Sequence, residues 1–260
     1  MIDTTYYGFP VSLALLADLH NRPFAPVISS LRSHAPSFLA ITGDIVYGSA
    51  PVDDRSPLET QENVLPFLKA CSSLAPTFLS LGNHEWMLDS ADLQLIAATG
   101  VTMLDNGWVE TTVDGKDVVL GGLTSGYVTD YRAFRATTDG SVRYPKKEGL
   151  SGIGGIRSEH KPDTGWLEQF AAQPGTKICL SHHPEYYPLI PEGIDLILSG
   201  HAHGGQWRLL GRGVWSPGQG WWPRYTKGVY DGKMVVSAGL SNTTWVPRIG
   251  NPVEIVYLEY

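Results

Sequence analysis

The chain has 260 residues, 42% of them apolar and 17% charged, values ordinary for a globular protein with a continuous core. A net charge of -7 argues against a general nucleic-acid-binding surface, which carries a basic excess, so no stable nucleic-acid partner is expected. Two cysteines, Cys71 and Cys179, are too few for a disulfide framework and read as buried, reduced thiols among apolar neighbours.

The first apolar stretch, Val11–Ala17, is too short to cross a bilayer and follows no basic segment, so a cytoplasmic location with no transmembrane segment is expected. The same stretch reads as a buried strand that runs into Asp18-Leu19-His20, with a helix carrying Val27, Ile28 and Leu31 on one face after it. A second strand, Phe38–Thr42, ends in Gly43-Asp44, and a third, Phe78–Leu81, ends in Gly82-Asn83-His84-Glu85. Between them Val64, Leu65 and Leu68 have helical spacing. Val101–Leu104 reads as a short strand, and Trp108–Val113 with Val118–Leu120 as a hairpin about Asp114-Gly115.

Gly121–Pro162 is glycine-rich, weakly periodic and densely charged from Arg132 to Lys161, which reads as a surface insertion in a single domain spanning residues 1–260. Beyond it, Lys177–Leu180 ends in Ser181-His182-His183-Pro184, and Ile194–Leu198 ends in Ser199-Gly200-His201-Ala202-His203-Gly204-Gly205-Gln206. Strands alternating with helices predict an α/β fold. Ligands of such folds bind beyond the carboxyl ends of the strands, where these polar residues collect.

Divalent cations need deprotonated oxygen or imidazole donors aimed at one volume, and a two-metal site also needs a carboxylate that bridges. Asp-x-His, Gly-Asp, Gly-Asn-His and Gly-His-x-His supply that inventory. In this order they resemble the calcineurin-like metallophosphoesterase superfamily, with every element of its signature present between Asp18 and His203. Gly200–Gln206, with Tyr225–Gly228 and Ser237–Asn242, is similar to a branch holding bacterial phosphodiesterases and relatives that cleave UDP-2,3-diacylglucosamine. Ala17 departs from that branch, which commonly has serine there, without removing a ligand.

The resemblance implies a four-layer α/β/β/α sandwich of two mixed sheets and a pair of divalent ions, with manganese, iron, zinc and nickel all suited to mixed nitrogen and oxygen donors. By the same resemblance Asp18, His20 and His203 hold one ion and Asn83, His182 and His201 the other, with Asp44 bridging. The implied reaction is hydrolysis of phosphodiesters, or of monoesters and pyrophosphates, by a metal-bridged hydroxide. His84 is the candidate to assist the leaving oxygen, and Glu85 and Gln206 are expected to orient ligands from behind. His183 takes a structural or substrate-side role, while Arg132 and Trp221 are candidates to contact a small-molecule or lipid-linked phosphoester. The rival reading is a non-catalytic scaffold of the same fold that binds a partner protein. Retention of all seven ligands argues against it.

Overall fold

The computed structural model describes residues 2–48, 57–137, 160–242 and 246–259. Among the described residues there are sixteen strands: β1 Asp3–Gly8, β2 Leu13–Leu16, β3 Phe38–Ile41, β4 Thr77–Ser80, β5 Thr102–Leu104, β6 Gly107–Val113, β7 Lys116–Leu123, β8 Thr176–Ser181, β9 Leu196–Ser199, β10 Arg208–Leu209, β11 Arg212–Gly213, β12 Trp215–Ser216, β13 Gly220–Trp221, β14 Gly228–Tyr230, β15 Met234–Val236 and β16 Glu254–Glu259. The helices are α1 Ala25–His34, α2 Pro57–Thr60, α3 Val64–Ser72, α4 Ser90–Ala97, α5 Gly126–Thr137 and α6 Leu167–Ala171.

Twelve of these strands form two six-stranded mixed sheets, ordered β1-β16-β2-β3-β4-β5 and β14-β15-β9-β8-β7-β6. In the first sheet β2 to β5 run parallel and β16 is antiparallel to β2. In the second, β7, β8, β9 and β15 run parallel, flanked by antiparallel β6 and β14. Alternation along each strand divides the apolar residues between two faces. Leu13 and Leu15, Phe38 and Ala40, Ile178 and Leu180, and Leu196 and Leu198 fill the layer between the sheets. Their neighbours Leu16, Leu39, Ile41 and Leu79 meet α1 and α3 through Leu31, Phe67 and Leu68. On the far side Val119, Cys179 and Ile197 meet α6 through Leu167 and Phe170. Three apolar layers between four structural layers make an α/β/β/α sandwich.

Local sequence explains the helix ends. Pro26 in the first turn of α1 needs no amide donor there, and the helix stops at Ala35 in the left-handed region. Asp89 caps α4 by accepting from the amides of Ala91 and Asp92. Both cysteines are free and buried. They belong to opposite apolar layers, and burial pushes each thiol up to about 12. Within the glycine-rich stretch, β7 runs on to Leu123 and α5 follows it, so its first part is regular structure rather than an irregular excursion. Arg143, Lys146, Lys147, Arg157 and Trp245 lie outside the described residues. No helix among the described residues is long and apolar enough to cross a membrane.

Phe170 is fully buried, and any side chain at Gly121 would collide with its ring. Phe170→Ala is expected to destabilise the fold by about 3–5 kcal/mol, seen as a lower urea midpoint with little change in slope.

Candidate metal centre

The five strands that end in polar motifs, β2, β3 and β4 of one sheet and β8 and β9 of the other, deliver those motifs to one hollow. The chain must turn sharply as it leaves each strand, and the backbone records it: Asp18, His20, Asp44, His201 and His203 all have positive φ, between 47° and 62°. Left-handed backbone costs most residues about 1–2 kcal/mol, so these turns persist only because their surroundings hold them. The amides of Asp18 and His20 donate to the carbonyls of Gly43 and Asp44, which ties the first loop to the second. The amide of His201 donates to the Asp18 carboxylate at 3.2 Å, and the Ser241 hydroxyl donates to the Asp18 carbonyl. Any Cβ at Gly82 would collide with Asp44 Oδ1, so glycine at that point lets two loops touch.

Within the hollow, Asp18, His20 and His203 bring donor atoms within 4.8 Å of one another, and so do Asp44, His182 and His201. His20 Nε2 lies between the two groups, 3.7 Å from Asp18 Oδ1 and 3.7 Å from Asp44 Oδ2. The same Asp44 oxygen is 3.1 Å from His182 Nε2 and 3.8 Å from His84 Nε2, a central position among three imidazoles. His203 Nε2 faces Asp18 Oδ1 at 3.7 Å. Asn83 begins the 3₁₀ turn after β4, and the next amide, that of His84, donates to Asp44 Oδ1 at 2.8 Å.

Burial opposes ionisation of both aspartates, yet the histidines override it: His203 and His20 hold Asp18 below the usual carboxylate range, and His182 and His84 do the same for Asp44. Burial likewise pulls the His182 pKa down, but Asp44 raises it to about 9. His182 Nδ1 contacts the Thr42 carbonyl at 2.7 Å, so that nitrogen keeps its hydrogen and Nε2 is the one left for the hollow.

The donor set fits divalent cations on a further ground. Both ring nitrogens of His20, Nε2 of His182 and Oδ1 of Asn83 are buried with no hydrogen-bond partner of acceptable geometry among the described residues. Ring nitrogens and an amide oxygen left orphaned around two carboxylates are met by a cation that takes their lone pairs, on His182 once it displaces that ring's proton. His203 is held differently: Arg248 Nη2 lies 3.0 Å from its Nδ1, which leaves the ring hydrogen on Nε2, so a cation at that nitrogen would require the Arg248 contact to open.

The residues expected to stand behind the ligands act otherwise than the sequence suggests. Glu85 touches no histidine ring through its hydrogen bonds; its carboxylate accepts from the amides of Gly82, Asp44, Ile45 and Val46, so it braces the backbone that carries Asp44. Burial, followed by repulsion from Asp44, pushes its pKa up to about 7. Gln206 donates to Val246 and Asn242, joining two loops. His183 is buried, with Nε2 2.8 Å from the Ser125 hydroxyl and Nδ1 3.2 Å from Glu185. Arg132 pairs with Asp105 at 2.7 Å, and Trp221 stands 45% exposed on β13.

Glu185 escaped the sequence reading altogether. It follows a proline in Ser181-His182-His183-Pro184, a position with no metal-ligand spacing of its own, yet it is buried with Oε1 3.6 Å from His201 Nε2. The same oxygen lies 3.2 Å from His183 Nδ1, so Glu185 places a carboxylate behind both imidazoles and steadies the segment that presents them. Arg248 was equally silent, since nothing in its neighbourhood marks it.

The profile of the family described as Calcineurin-like phosphoesterase matches residues 11–205. The chain is 24% identical over 245 residues to YpbG of Bacillus subtilis, an uncharacterised protein, covering 93% of this chain and 77% of that one. It is 28% identical over 218 residues to the phosphodiesterase YaeI of Escherichia coli, covering 77% of this chain but only 63% of YaeI. Among solved structures, the sulfate thiohydrolase SoxB of Thermus thermophilus matches with a TM-score of 0.48 and 15% identity, over 90% of this chain and 52% of that one.

Two outcomes follow for metal loading. Because protonated His182 cannot ligate and holds its proton up to about 9, manganese or zinc added to metal-free protein is expected to expel protons. Affinity should then rise by about tenfold per pH unit below that value. Calorimetry in buffers of different ionisation enthalpy reads both quantities, and a pH-independent affinity would remove His182 from the ligand set. Glu185→Gln is expected to weaken metal binding by about 10–100-fold while the near-ultraviolet circular dichroism stays unchanged.

Proposed function

The chain belongs to the calcineurin-like phosphoesterase family, and from that premise we propose that it is a metal-dependent hydrolase holding two divalent ions and cleaving phosphodiesters of small or lipid-linked molecules. The observation that carries this reading is the convergence of Asp18, His20, Asp44, His182, His201 and His203 on one buried hollow, with the unpartnered Asn83 Oδ1 beside them. The diester preference draws support from the likeness to the phosphodiesterase YaeI. When bound, divalent ions in this family of donors polarise phosphoryl oxygens and acidify water.

The chain's own residues then divide the remaining tasks. Asp44 offers its central Oδ2 to both donor groups, while its Oδ1 is fixed by the His84 amide. His84 Nδ1 accepts the Gly48 amide at 2.7 Å, which puts the ring hydrogen on Nε2, the nitrogen that faces Asp44. Burial lowers the His84 pKa, so the ring works as a neutral donor to the leaving oxygen and is 26% open to the incoming substrate. A cavity of about 420 Å³ opens beside His20, lined by Asn21, Arg22, Tyr47, Thr60 and Gln61. It is large enough to seat one ester substituent, with the Arg22 guanidinium at its edge. Neither Arg132 nor Trp221 lines it.

The reading is tested by metal analysis of the purified protein, followed by turnover of bis-p-nitrophenyl phosphate beside the monoester with and without manganese. Manganese-dependent turnover favouring the diester is expected, and Asp44→Ala should abolish it together with bound metal; full activity in Asp44→Ala would sink the assignment. His84→Ala is expected to keep its metal while kcat falls about 10²–10⁴-fold, most steeply for esters with poor leaving groups. A uniform loss across leaving groups, or a parallel loss of metal, would instead make His84 a support for Asn83.

A further inference from the structure

On the other side of the 3₁₀ turn that carries His203, β10 and β11 form a two-residue hairpin whose tip is Leu210-Gly211. Both tip residues have positive φ, 51° and 79°, the sign pattern of a type I′ turn, for which Asn-Gly is the usual choice. Leucine there gains nothing for the turn, and at 96% exposure Leu210 is also the barest large apolar side chain among the described residues. Leu209 beside it is 61% exposed, as is Ile249, whose carbonyl accepts the Arg208 amide at the base of the hairpin. Across a cavity of about 410 Å³ stands Trp222, 55% exposed, with its amide bonded to Val214.

The collar around these apolar groups is cationic. Arg208, Arg212 and Arg224 line the same cavity, and among the described residues none of them makes an ion pair with an acidic side chain. Arg208 spends its donors on the uncharged Gly204 and Gly211 carbonyls and the Thr226 hydroxyl, and Arg224 lies over the Tyr225 ring. An unneutralised trio of guanidinium groups is a concentration of positive charge in a chain whose net charge is -7. Protruding leucines, an exposed indole and unpaired arginines at one tip match the two zones of a bilayer surface, acyl boundary and phosphate layer.

We propose that this hairpin face docks the protein peripherally on an anionic phospholipid bilayer, with Leu209 and Leu210 entering the acyl boundary and Arg212 and Arg224 meeting headgroup phosphates. The inference is independent of the phosphoesterase reading, because none of these residues belongs to the metal centre.

Co-sedimentation with vesicles of phosphatidylcholine alone, and of phosphatidylcholine mixed with phosphatidylglycerol, tests it on the full chain. Binding to the mixed vesicles is expected, weakening as salt is added. The double variant Leu209→Ser/Leu210→Ser should lose about tenfold or more in vesicle affinity, with thermal unfolding and turnover of a soluble phosphoester unchanged. Arg212→Glu/Arg224→Glu should remove the preference for the anionic lipid. Failure of the native protein to bind mixed vesicles at low salt overturns the proposal. So does equal binding by both variants, or self-association in the absence of lipid that the leucine variant abolishes, which would assign the face to a second copy of the chain.

Discussion

Two carboxylates buried at the ends of neighbouring parallel strands set the terms for everything around them. Asp18 and Asp44 are almost completely withdrawn from water, and an isolated charge in that position would be strongly unfavourable. Four imidazoles within 4 Å, backbone amides aimed at their oxygens and the lone pairs left over on His20 and Asn83 form a shell whose natural complement is positive charge. The same shell accounts for Glu85, a third buried carboxylate, which spends its acceptors on four amides and so stiffens the loop under Asp44.

Much of the fold was legible because its signals are periodic. Short, largely apolar runs marked β2, β3, β4 and β9, and the Asp114-Gly115 turn placed the β6–β7 hairpin with Val113 opposite Lys116. The helical spacing of Val27, Ile28 and Leu31 marked the buried face of α1. Division of the strands between two sheets could not be read, since a strand buried on both faces looks alike in either sheet. Its four-layer form came from the family resemblance. The aromatic residues of the C-terminal portion resisted reading for another reason: composition does not tell a buried ring from an exposed one, and Tyr225 is core whereas Trp221 and Trp222 face solvent.

At the site, residues with metal-donor chemistry announced themselves, and the structure gathers Asp18, His20 and His203 into one group and Asp44, His182 and His201 into another, with His20 and Asp44 at their shared boundary. What stayed hidden was the support. Glu185 and Arg248 reach His201 and His203 only through folding of remote segments, and Glu85 was visible but its partners were not, because a carboxylate beside a histidine-rich loop says nothing about whether it will find a ring or an amide. Five positive φ values at strand ends were equally invisible, for only glycine advertises such backbone in sequence.

The donors come from both sheets, with Asp18, Asp44 and Asn83 carried by one and His182, His201 and His203 by the other. The apolar layer of leucines, valines and phenylalanines between them is therefore a spacer, and its thickness sets the distance between the two sets of donors. Side chains such as Phe38, Phe78 and Leu180 act on the chemistry as shims act on a vice: adding or shaving a methylene moves one jaw relative to the other without touching what it grips.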